Sequence, residues 1–166
     1  YFYPSASLSL LISEMVKLPE WFTYAKLRAG SAQLGNDTGP YNLDPSFAIG
    51  ADWGTAKMMY MGGNLTNNNL KPERSTSNEI GTDLKFLKGR VGLEATYYIV
   101  QNKNQNLNIS LPIESGASSK SINSGNIESR GWEINLTTSP IATKDFKWDL
   151  NFSFTKNKTR LKELAE

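Results

Sequence analysis

The stretch TSNEIGTDLKFLKGRVGLEATYYI, Thr76 to Ile99, alternates apolar and polar residues, breaks at Leu87-Lys88-Gly89-Arg90, and alternates again. Successive side chains on a strand point to opposite sides. One side therefore carries Ile80, Leu84 and Phe86, then Val91, Leu93, Ala95, Tyr97 and Ile99. The other carries Glu79, Asp83 and Lys85, then Glu94 and Thr96. The pattern predicts a β-hairpin with one oily face and one wet face.

Four further segments show the same period. Phe2 to Ile12 sets Ala6, Leu8, Leu10 and Ile12 against Ser5, Ser7 and Ser9, and Trp21 to Leu34 places Lys26 and Arg28 on its polar face. Ile127 to Thr138 opposes Trp132, Ile134 and Leu136 to Glu133, Asn135 and Thr137. Phe146 to Thr155 opposes Phe146, Trp148, Leu150, Phe152 and Phe154 to Lys147, Asp149, Asn151 and Ser153. The fold expected is all-β and antiparallel.

The connections alternate in length. SEMVKLPE, LKGR and SPIATKD are short, whereas Gly35–Arg74 and Lys103–Asn126 are long and polar. In an up-and-down sheet this gathers short turns at one end and long loops at the other, the asymmetry of outer-membrane barrels. Aromatic residues fall in two groups: Trp21, Phe22, Phe86, Phe146 and Trp148 near the short turns, and Tyr1, Phe2, Tyr3, Tyr97 and Tyr98 toward the long loops. Membrane interfaces select such bands, although aromatics favour strands in any setting. A soluble β-sandwich, for example a carbohydrate-binding module, gives the same alternation by packing two sheets face to face, so both architectures stand at this point.

Composition narrows the function. The chain has 166 residues, a net charge of +2, and neither Cys nor His. Thiolate and imidazole chemistry are thereby removed, including the commonest metal ligands and general bases. No basic cluster marks a nucleic-acid partner. No run of about 18 apolar residues forms a transmembrane helix, a test blind to strands, whose alternation averages out. The SFTK motif at Ser153–Lys156 fits a Ser-x-x-Lys nucleophile only on a helix, and here it sits on an alternating strand. Sequons at Asn36, Asn64, Asn108, Asn135, Asn151 and Asn157 reflect an Asn-rich chain, two of them inside strands. Glu79, Asp83, Glu94, Glu133 and Asp149 read as a solvated polar face rather than a hydrolase pair. No catalytic residue, metal site or cofactor is expected. The long segment between Gly35 and Leu70 mixes aromatics, Met and amides, which suits ligand contact. Its candidate ligand residues are Tyr41, Trp53, Tyr60 and Asn64.

Five stretches in order, YFYPSASLSLLISEM, AKLRAGSAQLGNDTGPY, NLKPERSTSNEIGTDLKFLKGRVGLEATYY, INSGNIESRGWEINL and DFKWDLNFSFTKNKTRLKEL, resemble the barrel region of the SusC/RagA family of TonB-dependent transporters of Bacteroidetes outer membranes. The resemblance implies a segment of a plugged barrel of about 22 strands. Residues 1–166 would form one partial barrel domain of about six strands, toward the C-terminal part of the wall and without plug domain or TonB box. It further implies import of glycans or oligopeptides, energised through TonB, beside a SusD-like surface lipoprotein. On that reading Glu79, Asp83, Glu94, Glu133 and Asp149 face the lumen. Leu84, Val91, Leu93, Leu150 and Phe152 face outer-membrane lipid.

Overall fold

In a computed structural model, residues 2–40 and 42–164 are described. They form two compact units. The first comprises Tyr1–Leu34, Ser75–Gln101 and Ile127–Arg160, and the second Gly35–Arg74, Asn102–Asn126 and Leu161–Glu166.

The first unit holds a six-stranded sheet built from β1 (Ser5–Leu11), β2 (Phe22–Asn36), β6 (Glu73–Phe86), β7 (Val91–Lys103), β10 (Ile127–Ala142) and β11 (Lys147–Leu161), neighbours in that order. β1 and β2 pair antiparallel, with Leu8 opposite Ala29, Leu10 opposite Leu27 and Ser9 opposite Arg28. Side-chain contacts carry the pattern across the sheet. β2 meets β6 at Lys26 and Asp83, Arg28 and Asp83, and Ser31 and Asn78. β7 meets β10 at Tyr97 and Trp132 and at Gln101 and Glu128. β10 meets β11 at Asn135 and Ser153 and at Ser139 and Asp149. Along each pair, residue numbers rise on one strand as they fall on the other, the mark of antiparallel neighbours.

This register keeps like with like. Leu84, Val91, Leu93, Leu150 and Phe152 share strand parity with the Tyr97–Trp132 pair, whose rings lie 4.7 Å apart. Glu79, Asp83, Glu94, Glu133 and Asp149 take the opposite parity. Burial is slight, since Ala25 and Ala117 are the buried apolar residues among those described. Leu8, Leu27, Ile80, Trp132, Phe152 and Phe154 stay between 39% and 57% exposed. Among the described residues this face is left largely open, where a β-sandwich would bury it.

The first strand is shorter than the alternation suggests, because Ile12 opens a four-residue helix, Ile12–Met15. The last is longer, running on to Leu161. The second unit departs furthest from expectation, since its two long polar stretches contain strands rather than plain loop. β3 (Phe47–Trp53) and β4 (Ala56–Met61) form an antiparallel hairpin. β5 (Asn64–Leu65), β9 (Ser119–Asn123) and β8 (Asn106–Ser110) form a three-stranded sheet in that order, with β5 and β9 parallel.

The turn between β6 and β7 places Leu87, Lys88 and Gly89 consecutively at φ of 52°, 58° and 84°. Two non-glycine residues in the left-handed region are costly. The turn is braced from outside: the Leu87 amide donates to the Trp21 carbonyl at 2.8 Å and the Lys88 amide to the Thr23 hydroxyl at 3.0 Å. The Trp21, Phe22 and Phe86 rings cluster beside it, with Phe22 and Phe86 edge-on at 4.7 Å. In the intact protein, Gly89→Val should lower the thermal unfolding midpoint, by a cost of about 1–2 kcal/mol. Lys88→Gly should leave it unchanged or raise it.

Candidate functional site

Two polar surfaces stand out, one in each unit. On the sheet, the polar face centres on Asp83 of β6. Its carboxylate lies 3.4 Å from the Arg28 guanidinium and 3.9 Å from the Lys26 ammonium, both on β2. Arg28 also donates to the Thr96 hydroxyl of β7 at 2.8 Å. The guanidinium thus crosses β6 to reach the strand beyond it. It can do so because residue 81 is glycine: a Cβ there would stand 2.7 Å from Arg28 Nε and 3.0 Å from Thr96 Oγ1. Gly131 does the same for Tyr98, whose phenol oxygen would lie 2.7 Å from an added Cβ. Small residues on this face are therefore the floor over which long polar side chains lie.

Around this centre the face continues as a polar ladder. Lys85 sits 5.6 Å from the centroid of the Tyr24 ring, within cation–π range. Ser153 donates to Asn135 at 3.1 Å, Ser139 donates to Asp149, and Lys147 pairs with Asp149 at 2.8 Å. The carboxylates named from the sequence are spread over four strands, Asp83 pairing with Arg28 and Lys26 and Asp149 with Lys147 and Ser139. Among the described residues, no group of three or more His, Cys, Asp or Glu could hold a metal ion.

The second unit holds a polar cavity of about 470 Å³. One wall is the three-stranded sheet. Its register puts Asn64, Ser119, Ser121, Asn108, Asn106 and Asn123 on one face, and Leu65, Lys120, Ile109, Ile122 and Leu107 on the other. Hydrogen bonds run across the amide face: Ser119 to Asn64 at 2.9 Å, Asn64 to Ser121 at 2.9 Å, and Ser121 to Asn108 at 2.8 Å. Asn123 donates to Asn106 at 2.8 Å and ties down the Lys71 backbone. Thr38, Asn42, Asp44 and Ser46 line the cavity from the segment before β3, where Asn42 donates to Thr38 at 3.1 Å.

Of the four ligand residues proposed from the sequence, Asn64 lines this cavity. Trp53 and Tyr60 belong to the β3–β4 hairpin and are absent from the lining. Trp53 is 78% exposed, and Tyr60 lies over Gly50. Tyr41 falls outside the described residues. The amides of β8 escaped the sequence reading, although NLNIS and SKSIN both alternate with period two.

Comparison with known proteins places this architecture. Residues 1–164 match the family described as TonB dependent receptor-like, beta-barrel. The chain belongs to this family. A relative from Formosa agariphila, TonB-dependent receptor P39, is 29% identical over 171 residues, 99% of this chain and 16% of that protein. TonB-dependent receptor SusC of Bacteroides thetaiotaomicron is 31% identical over 100 residues, 60% of this chain and 10% of SusC. The RagAB peptide importer in its open-open state superposes with a TM-score of 0.83 at 18% identity, over 98% of this chain and 18% of that one. The chain thus spans a small part of each relative, and the fold it shares is that of a TonB-dependent receptor barrel. The family is one of TonB-dependent receptors.

For the receptor's polar face the crossing over Gly81 gives a direct test. Gly81→Leu should displace the Arg28 guanidinium and destabilise the intact receptor by about 1–2 kcal/mol, as should Arg28→Ala. The double variant should be little worse than either single variant, because both remove the same contacts. Denaturation midpoints of the three variants check this.

Proposed function

We propose that this chain is a stretch of wall in an outer-membrane importer, with its aliphatic face against lipid and its polar face toward the lumen. The single observation that carries the reading is the aliphatic face of a six-stranded antiparallel sheet, exposed at Ile80, Trp132, Phe152 and Phe154 and half-buried at other positions, whose other face is polar and charged. A broad exposed apolar face is a liability in water and an asset against hydrocarbon. Strand length fits as well. β7 has 13 residues, which extend about 43 Å and, tilted about 45°, rise about 30 Å, the thickness of a bilayer core.

On this reading Leu84, Val91, Leu93, Leu150 and Phe152 meet lipid, while Glu79, Asp83, Glu94, Glu133 and Asp149 line the lumen. The transported material is a glycan or an oligopeptide. The kinship with SusC and the fold shared with a peptide importer support this pair of substrate classes. Energy is drawn through TonB, and a SusD-like surface lipoprotein works beside the barrel. Trp53, Tyr60 and Tyr41, with Asn64, belong to outer segments near the incoming substrate.

The membrane assignment is tested in the complete receptor. Leu93→Arg or Phe152→Arg should sharply reduce the folded protein recovered in the outer-membrane fraction, at a cost of about 2–4 kcal/mol near the bilayer midplane. Glu94→Gln should leave that fraction unchanged. Equal tolerance on the two faces would reject the inside–outside assignment. Uptake that continues after TonB depletion would reject the energy source.

A further inference from the structure

The amide-faced cavity of the second unit has a chemistry more selective than the import role alone requires. Ligand pockets of about 300–1,000 Å³ are ordinarily lined by apolar and aromatic side chains, and this one, at about 470 Å³, is lined chiefly by Asn, Ser, Thr and Gly. Among the described residues lining it there is no Lys, no Arg and no aromatic ring, and its one charge is Asp44. An anionic ligand would find no cation there, and a peptide would find few apolar pockets for its side chains.

Hydrogen-bond direction adds a second, independent point. The relay from Ser119 through Asn64 and Ser121 ends on the Asn108 side-chain carbonyl. The Asn106 side-chain carbonyl is likewise taken, by Asn123. What these two residues have left are their NH₂ groups. Standing at i and i+2 on one strand, they lie on the same face about 7 Å apart. Hydroxyls of Thr38 and Ser46 and the Asp44 carboxylate, on the segment before β3, bring acceptors to the same cavity. Two donors and several hydroxyl and carboxylate acceptors lining one cavity, with neither a cation nor an aromatic ring beside them, complement the vicinal hydroxyls of a sugar. Chains of hydrogen bonds polarise one another, which strengthens the terminal donors.

We propose that this cavity binds a segment of neutral, polyhydroxylated saccharide, with the Asn106 and Asn108 amides donating to its hydroxyls and Asp44 accepting. The proposal rests on the import role above and selects the glycan from its two substrate classes.

The test uses the complete receptor purified in detergent. Equilibrium binding is measured with neutral hexasaccharides of glucose, mannose and xylose, with an oligogalacturonate, and with an uncharged octapeptide. The expected result is binding of at least one neutral hexasaccharide in preference to the oligogalacturonate and the peptide. It should weaken about tenfold or more in the Asn106→Ala/Asn108→Ala variant. Asp44→Lys, an exposed substitution that leaves the amide relay untouched, should weaken the neutral sugar and bring in the oligogalacturonate. Preference for the peptide, no binding of any neutral hexasaccharide, or affinity unchanged in both variants overturns the proposal. Uptake is scored separately in cells. Lost import alongside intact, variant-sensitive saccharide binding would reject the transport role and uphold the cavity assignment.

Discussion

A slip of one residue between any two neighbouring strands would carry Asp83, Glu94 or Asp149 onto the aliphatic face and Leu84, Leu93 or Leu150 onto the charged one. Side-chain direction on a strand has period two, so register and face are a single choice. The structure holds that choice through specific cross-strand partners. Lys26 and Arg28 bracket Asp83, Tyr97 lies on Trp132, and Ser153 bonds Asn135. With almost no buried core in the sheet, these pairs and the backbone ladder, rather than packing in the interior of a globule, specify the arrangement.

That constraint explains why much of the fold was legible. The hairpin of Thr76–Ile99, the faces of all six long segments and the short turns follow from apolar periodicity, which survives in any environment that is wet on one side and dry on the other. The resemblance of five ordered stretches then separated a barrel wall from a sandwich, which periodicity could not. The inserted strands were hidden for a physical reason. β5, β8 and β9 are rich in Asn and Ser, residues of low strand propensity, and β5 and β9 join residues far apart in the chain, such as Asn64 and Ser119. Their pattern is amide against aliphatic rather than charge against aliphatic, and so reads as loop.

The candidate site was legible in part. Lys26, Arg28 and Asp83 were visible as polar-face residues, and Asn64 as a polar residue of a long connection. The role of Gly81 was not, because glycine in a strand reads as a weakness until the neighbour lying over it is known. Nor was the separation of Trp53 and Tyr60 from the cavity, since proximity in sequence to Asn64 says nothing about which sheet a residue joins.

The guanidinium lying over Gly81 also spans a long stretch of chain. It joins Arg28 to Thr96, residues 68 apart in the chain, whereas the β6–β7 turn joins near neighbours within a few residues. Closing the longer span costs more chain entropy than closing the turn. A bond made after the rate-limiting step contributes little to how fast a chain folds and much to how long it stays folded. Where the Arg28 contact with Thr96 forms after that step, it acts as a clasp rather than a nucleus, and its worth lies in the lifetime of the assembled sheet.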